Sequence, residues 1–427
     1  MNLVGGQIVT QAESQRILDT MSDRILSTLS REALNPKTVI EACDKLVHSM
    51  DDSAYLITMA KLGIGTEMGT RYLHEAKAMF NRDSLQARLV AELGPDYEQE
   101  RKFTPLFGAE SVRERLEPLG VLLHIAAGNA DGLPAFSVLE GLLTGNINIL
   151  KLPQVDGDLS VNLLLELIRI EPTLADYIYV FDYSSKDIVS IGKLMELADG
   201  VVVWGGDIAV SALRKAVKPN TKLIEWGHKV SFAYVTKQGA TSEALEGLAR
   251  HICETNGLLC SSCQGIYISS DDVQDVFEFC KQFLPILEKA TMEIPSSTSV
   301  GMRAQITLQL YTLELEQKLV SKVFRGKGCS LMALENSNLE TSIQFRNLWV
   351  KPLPKEKLLT TLRPHKNHLQ TAGLLCGAQE RDFLTRLLWK AGIVRVTIGN
   401  DMSSSYLAEP HDGQYPLRHY VRIVSVW

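Results

Sequence analysis

The stretch that decides the fold begins Gly120-Val-Leu-Leu-His-Ile-Ala-Ala-Gly-Asn129 and ends Gly141-Leu-Leu-Thr-Gly-Asn-Ile-Asn-Ile-Leu-Lys151. The first apolar run, 120–127, has the near-continuous hydrophobicity of a strand buried on both faces. Leu133–Leu143 reads as a helix, and Asn146–Lys151 as a second strand. The alternation then repeats. Helix Val161–Ile170 precedes strand Ile178–Asp182, and helix Ile188–Leu197 precedes strand Gly200–Trp204. Helix Ile208–Ala216 and strand Lys222–Glu225 complete the series. Repeated β-α-β units predict a parallel, doubly wound α/β sheet. Such sheets bind ligands beyond the carboxyl ends of their strands. The segments placed there are Gly128-Asn129, Lys151–Gln154, Gly205–Asp207 and Trp226–His228.

Working outward, residues 1–114 predict a helical region. Apolar residues at helical spacing mark one helix over Ala12–Leu29 and others over Ser53–Leu62, Met68–Phe80 and Asp83–Leu93. Residues 115–228 form the expected cofactor-binding domain. A second α/β domain is expected over 229–400, with strands at Val230–Thr236, Gly265–Ile268, Ser342–Val350, Thr371–Cys376 and Ile393–Ile398. Ala290–Ala304 and Lys322–Ser337 read as polar and loop-like. Residues 401–427 read as a turn-rich tail ending in an apolar run, Val421–Trp427. That run suits pairing with a neighbouring sheet or subunit, since an unpaired apolar edge invites aggregation.

Composition narrows the function classes. The 427 residues are 45% hydrophobic and 22% charged, with a net charge of −6. This is ordinary for a globular enzyme, and no Lys/Arg cluster points to nucleic acid. No apolar run approaches the roughly 20 residues of a membrane span. The first residues lack the basic and apolar regions of a signal peptide. Seven cysteines, an odd number, argue against a disulfide framework and for a reducing cytoplasm.

The candidate chemistry centres on Cys260, in Asn256-Gly-Leu-Leu-Cys-Ser-Ser-Cys-Gln264. A cysteine between a helix end and a buried strand sits on rigid supports, where a thiolate can be aimed at a carbonyl. Cys263 completes a CxxC. A thioredoxin-type CxxC opens a helix after a strand, whereas this one precedes a strand. His251 and Cys253 lie two apart on a helix and so face different ways, and no metal site is expected. Oxidation could still join Cys260 to Cys263. Glu225 supplies a carboxylate, and Gly205-Gly206 between strand and helix lets a backbone approach a pyrophosphate or nicotinamide. No GxGxxG follows the first strand. His124, inside an apolar strand, reads as a hydrogen-bonded core residue.

These pieces, in this order, resemble the aldehyde dehydrogenase superfamily and, within it, the bacterial acyl-CoA reductase (LuxC) family. The resemblance rests on residues 120–129, on 141–151, on Ala198-Asp-Gly-Val-Val-Val-Trp-Gly-Gly206 and on Cys260-Ser-Ser-Cys-Gln264. The family has proline where Cys263 stands. The resemblance implies an aldehyde-dehydrogenase-like α/β fold and reduction of an acyl thioester, on CoA or a carrier protein, to an aldehyde. It implies Cys260 as the acylated nucleophile and Asn129 as an oxyanion donor, although Asn129 also suits a local turn. Glu225 takes the place of the glutamate that activates water in hydrolytic members, which is awkward for a reductase. Lys151 resembles the lysine that meets the adenosine ribose or its 2′-phosphate, and the position three residues on, often glutamate, is Gln154. A neutral residue there favours NADPH, with NADH possible. Trp204, Gly205 and Gly206 belong to the cofactor segment. A homo-oligomer is expected, with acyl-transfer or acyl-activating proteins as further partners. Three readings compete: an aldehyde dehydrogenase running in the oxidative direction, a reductase of acyl phosphates, and a non-catalytic scaffold.

Overall fold

The computed structural model describes residues 1–61, 66–108, 111–126, 132–153, 158–295, 300–316 and 320–427. They divide into two units, Met1–Gly227 with Tyr406–Trp427, and His228–Ser405. The first opens with a hairpin, β1 (Asn2–Val4) and β2 (Gln7–Val9), that the sequence pattern does not reveal because each strand has only three residues. The helix expected over Ala12–Leu29 is broken into α1 (Gln11–Asp19) and α2 (Met21–Leu29). Thr20 leaves helical geometry at the break, and its hydroxyl donates back to the Ile17 carbonyl. Helix α3 (Pro36–Ser49) falls in the expected helical region but was not marked there as a separate helix. Its start signal is Asn35-Pro36, in which the Asn35 side chain accepts from the Lys37 amide. Helices α4 (Asp52–Lys61), α5 (Thr66–Phe80) and α6 (Arg82–Leu93) follow.

Strands β3 (Arg101–Phe103) and β4 (Val112–Pro118) lead to the alternating region. It comprises β5 (Val121–Ile125), α7 (Leu133–Leu143), β6 (Ile147–Lys151), α8 (Leu159–Ile170), β7 (Ile178–Phe181), α9 (Ile188–Leu197), β8 (Gly200–Trp204), α10 (Asp207–Ala216) and β9 (Lys222–Trp226). The sheet order is β2-β1-β7-β6-β5-β8-β9. Strands β5 to β9 are mutually parallel, as the doubly wound reading requires, and β1 adds an antiparallel edge. Every residue of β6, β7 and β8 is buried, so these strands read as continuous apolar runs.

The second unit contains β10 (Val230–Val235), α11 (Ser242–Thr255), β11 (Cys263–Ile268), α12 (Val273–Glu293), α13 (Val300–Glu316), β12 (Val320–Gly326), β13 (Cys329–Leu334), β14 (Asn347–Pro352), α14 (Lys355–Leu362), β15 (Leu369–Leu375), α15 (Ala378–Ala391) and β16 (Arg395–Thr397). Its order is β12-β13-β14-β11-β10-β15-β16, parallel except at the β12–β13 hairpin. Three expectations change here. Lys322–Ser337 largely forms that hairpin rather than a loop. Helices α12 and α13 account for most of Ala290–Ala304. The strand expected from Ser342 starts only at Asn347, because Gln344, Phe345 and Arg346 all adopt positive φ. Gly265 is required in β11: a Cβ there would lie 2.0 Å from the Trp349 ring.

The tail, α16 (Pro416–His419) and β17 (Val421–Val426), packs within the first unit. β17 pairs antiparallel with β4, and β3 completes that small sheet. Arg88 of α6 pairs with Glu92 and Glu140, whose carboxylates accept from the Leu417 amide and the Tyr420 hydroxyl.

The quoted stretch carries its own polar core. Gly141 has no Cβ because one would collide with Asn148 Oδ1. That contact lets Asn148 reach His124 Nε2 at 3.0 Å, while Ser137 Oγ meets His124 Nδ1 at 2.7 Å. The Trp204 indole donates to Ser137 at 3.0 Å, and Asn146 accepts from the Gly120 amide at 2.9 Å. Burial pushes the His124 imidazole down to about 4, so it is neutral in the fold. An unfolded histidine titrates near 6.5, so the unfolded chain binds more protons and stability falls as pH drops from about 6.5 toward 4. His124→Gln is expected to remove about 2 kcal/mol of the stability difference between roughly pH 7 and pH 5. Urea unfolding at the two pH values measures it.

Candidate active site

In the first unit the strand order reverses between β5 and β8, and the carboxyl edge at that point is where doubly wound sheets hold ligands. Lys151 ends β6 there, paired with Ile125 at the end of β5. Lys151 is 5% exposed, and burial lowers its pKa against the opposing pull of Asp182. Beyond β8 the chain passes through Gly205 and Gly206 into α10. A Cβ on Gly206 would meet nothing within 4 Å among the described residues, and one on Gly205 would lie 3.4 Å from Ala209 Cβ. The N-cap of α10 is Gly206, which has no side chain to cap with, and Asp207 puts an acidic group in the first turn. Trp204 is buried against Trp226, with ring centroids 5.5 Å apart, and His411 packs on both rings. Its ring is therefore a packing element. Asn129 and Gln154 lie outside the described residues.

A groove of about 310 Å³ between α9 and the end of α10 has a mixed lining of Ile188, Val189, Gly192, Lys193, Met195, Glu196, Ala216 and Lys218. Ile188 and Val189 are 77% and 71% exposed in the first turn of α9. An apolar pair left in water at the start of a helix that follows a parallel strand is a signal the sequence offered and its reading passed over. Lys151 and the Gly205-Gly206 turn, both at the carboxyl edge of this sheet, could hold a dinucleotide.

Glu225 lies in β9 with both carboxylate oxygens engaged. Arg214 of α10 donates from Nε and Nη2 to Oε1 and Oε2, each at 2.5 Å. This bidentate pair, unforeseen from sequence, raises the arginine's pKa, first through the hydrogen bonds and then through the charge of Glu225.

In the second unit Cys260 occupies the turn between α11 and β11, and it is exposed. Because β10, β11 and β15 are parallel, this turn lies at the amino end of the sheet. Ser231 at the start of β10 donates its hydroxyl to the Cys260 carbonyl at 2.6 Å and accepts from the Thr371 amide at 3.0 Å. Ser262 Oγ accepts from the Leu259 amide at 2.9 Å. The Ser261 and Ser403 hydroxyls are hydrogen-bonded at 2.8 Å. The cysteine backbone is thus held on several sides while its side chain reaches solvent.

Cys263 is a different kind of thiol. It is the first residue of β11, 2% exposed, and donates to the Gly265 carbonyl at 3.2 Å. Burial pushes it up to about 12. The Cys263 amide donates to His251 Nε2 at 3.2 Å, so that nitrogen is unprotonated. Burial, with the nearby charge of Arg395, pushes His251 down to about 4. No group of three or more histidine, cysteine, aspartate or glutamate side chains able to hold a metal occurs among the described residues. None of the seven cysteines is in a disulfide. Among the described residues no helix is long and apolar enough to cross a membrane.

Two units with sheets of this topology, one with a glycine turn and the other with an exposed cysteine, define an aldehyde-dehydrogenase-like protein. Solved structures agree on the fold. An NAD-dependent aldehyde dehydrogenase from Sinorhizobium meliloti superposes with a TM-score of 0.73 at 12% identity, covering 100% of this chain and 94% of that one. A benzaldehyde dehydrogenase from Corynebacterium glutamicum gives 0.72 at 12% identity, covering 100% and 98%. The chain belongs to the acyl-CoA reductase (LuxC) family, whose model matches residues 33–423. It is 24% identical over 321 residues to a long-chain acyl-protein thioester reductase of Aliivibrio fischeri, covering 73% of this chain and 64% of that protein. It is 27% identical over 319 residues to the protein of the same name from Photobacterium phosphoreum, covering 72% and 63%. The chain therefore spans somewhat less than two thirds of these relatives.

The two thiols of the CxxC should separate experimentally. Brief iodoacetamide treatment of the native protein near neutral pH is expected to label Cys260 and spare Cys263. Peptide mass mapping reads the result, and equal labelling would mean that the start of β11 is not as closed as it stands here.

Proposed function

We propose that this protein reduces acyl thioesters to aldehydes with a reduced nicotinamide dinucleotide, through an S-acyl intermediate on Cys260. The observation that carries this reading is the exposed Cys260 thiol on a held turn, in a chain of the acyl-CoA reductase family. The Cys260 thiolate adds to the thioester carbonyl, the bond from carbon to the carrier sulfur breaks, and the carrier thiolate leaves and takes up a proton. Asn129 is the proposed donor to the carbonyl oxygen while it bears negative charge. The nicotinamide, when bound, supplies hydride. With one proton, the acyl group departs as aldehyde and Cys260 returns as a thiol.

Both carboxylate oxygens of Glu225 accept from Arg214, which commits the group to an ion pair while each oxygen keeps a second lone pair. In this reading Glu225 is a counter-charge to Arg214 rather than a base acting on water.

NADPH is the preferred donor in this reading. Burial lowers the Lys151 pKa, and a 2′-phosphate beside the ammonium would offset that desolvation. The thiol carrier is CoA or a carrier protein, and acyl-transfer or acyl-activating proteins are candidate partners. A second copy of the chain would cover the small sheet, where Leu106, Phe107, Ile423 and Val426 are exposed beside β3 and β17.

Incubation with a long-chain acyl-CoA is expected to add one acyl mass to Cys260, and NADPH is expected to discharge it as aldehyde. An adduct on another residue, or discharge as free acid, would sink the reading. Glu225→Gln is expected to keep the reductase rate within about threefold, whereas a base acting on water would lose about 10²-fold or more of a hydrolytic rate. Lys151→Met is expected to raise KM for NADPH about tenfold, with a smaller change for NADH. Steady-state kinetics with both donors checks this.

A further inference from the structure

The turn that carries Cys260 is gripped from a loop far along the chain. Gln344, Phe345 and Arg346 have φ of 66°, 46° and 70°, a left-handed run that side chains beyond Cβ disfavour. Such a run persists only where its surroundings enforce it, and these runs concentrate at functional sites. Here the enforcement is specific. The Phe345 amide donates to the Asn256 carbonyl at 2.7 Å. Arg346 donates from Nε to Asn256 Oδ1 at 3.0 Å, from Nη1 to the Thr291 carbonyl at 3.1 Å and from Nη2 to the Cys253 carbonyl at 3.2 Å.

Arg346 is 2% exposed, and its guanidinium forms no ion pair with a described carboxylate. Its partners are a carbonyl at the negative end of α11, a carbonyl near the end of α12 and one amide side chain. A buried cation spent on backbone and an asparagine is costly as a stabilising device, so its geometric effect stands out. Asn256 itself is left-handed, with φ of 50°, and Gly257 follows at 75°. A Cβ on Gly257 would lie 3.3 Å from Gln344 Cα, so the two left-handed stretches interlock. Gln264 adds a second strap, donating to the Gly257 carbonyl at 2.8 Å while its Oε1 accepts from Ser342 Oγ at 2.8 Å. One end of the cysteine turn is therefore pinned at Asn256-Gly257, and Ser231 holds the Cys260 carbonyl.

We propose that Arg346 is a positioning residue for the Cys260 nucleophile: through Asn256 it sets the left-handed turn from which Leu258–Ser262 presents the thiol. This rests on Cys260 being the acylated residue. Arg346 touches no reacting atom, and its contribution is to the rate at which a correctly placed thiol attacks.

Two mild variants test it. Arg346→Lys keeps the charge and loses the three-way grip. Asn256→Gly keeps the left-handed backbone and removes the Oδ1 acceptor. Rapid-quench acylation by a long-chain acyl-CoA, followed by intact mass, separates the burst rate from its amplitude. Positioning predicts an acylation rate at least about tenfold lower in both variants, with an amplitude still near one acyl group per chain, because small misplacements of a nucleophile cost rate steeply. A merely structural role predicts the reverse, an unchanged rate and an amplitude that falls with the native circular dichroism signal. That outcome would overturn the proposal. Iodoacetamide alkylation of Cys260 across pH supplies a readout that needs no thioester, and the same rate against pH in variants and parent would also overturn it. Cys260→Ala is run alongside. If it still acylates, the nucleophile assignment fails, whatever Arg346 does.

Discussion

A parallel sheet must be covered on both faces, because its strands have no face to give to water. Both units of this protein obey that constraint, and much else follows from it. Strand residues are consumed by packing, as in β6, β7, β8 and β11, where every position is buried. Chemistry is displaced to the ends of strands. In the first unit the open ends are the carboxyl ends, at Lys151 and Gly205-Gly206. In the second the cysteine turn stands at the amino end of β11. The candidate residues therefore lie at different ends of similar sheets, the proposed cofactor residues at carboxyl ends and the proposed nucleophile before an amino end.

The same constraint decides what the polar residues in the apolar runs are for. His124, Asn146 and Asn148 lie in or beside buried strands, where an unpaired polar atom is expensive. They are satisfied by one another, by Ser137 and by the Gly120 amide, and Trp204 joins the network through its indole. Several letters of the family segments are thus packing residues that hold α7 against β5 and β6. Gly141 is the clearest, since it makes room for Asn148. Likeness of sequence in these segments reports the fold as much as the reaction.

Much of the fold was legible. The β-α-β alternation from 120 to 226 appeared at nearly the right boundaries, with Leu133–Leu143, Ile188–Leu197 and Gly200–Trp204 matched at both ends. Most of the failures have physical causes. Strands β1 to β3 are too short to show a period. β12 and α13 carry enough polar residues to imitate loops, because β12 lies at a sheet edge and much of α13 faces solvent, whereas β13 is apolar and buried and was passed over without such a cause. At the break, the Thr20 amide and hydroxyl both bond back to carbonyls of α1, a local arrangement that apolar spacing does not reveal. The left-handed run at 344–346 is imposed by contacts with Asn256 and Thr291, and no local pattern announces it.

The candidate site divides in the same way. By itself the sequence determined which residues could act, because a cysteine between helix and strand, a lysine closing a strand and a glycine pair before a helix are local arrangements. Through the family resemblance it also singled out Cys260 as the nucleophile and Cys263 as a substitution for proline, and it left Glu225 as a carboxylate of open role. The tertiary structure supplies the physical difference between the two thiols and the partner of Glu225. Cys263 falls inside β11, where burial makes its thiolate unfavourable, while Cys260 stays on the turn in contact with water. Glu225 is bound by Arg214 from the neighbouring helix, and the cysteine turn is held by Ser231 and Arg346 from distant segments. Burial and long-range hydrogen bonds set the reactivity of a side chain, and both depend on partners that sequence spacing does not name.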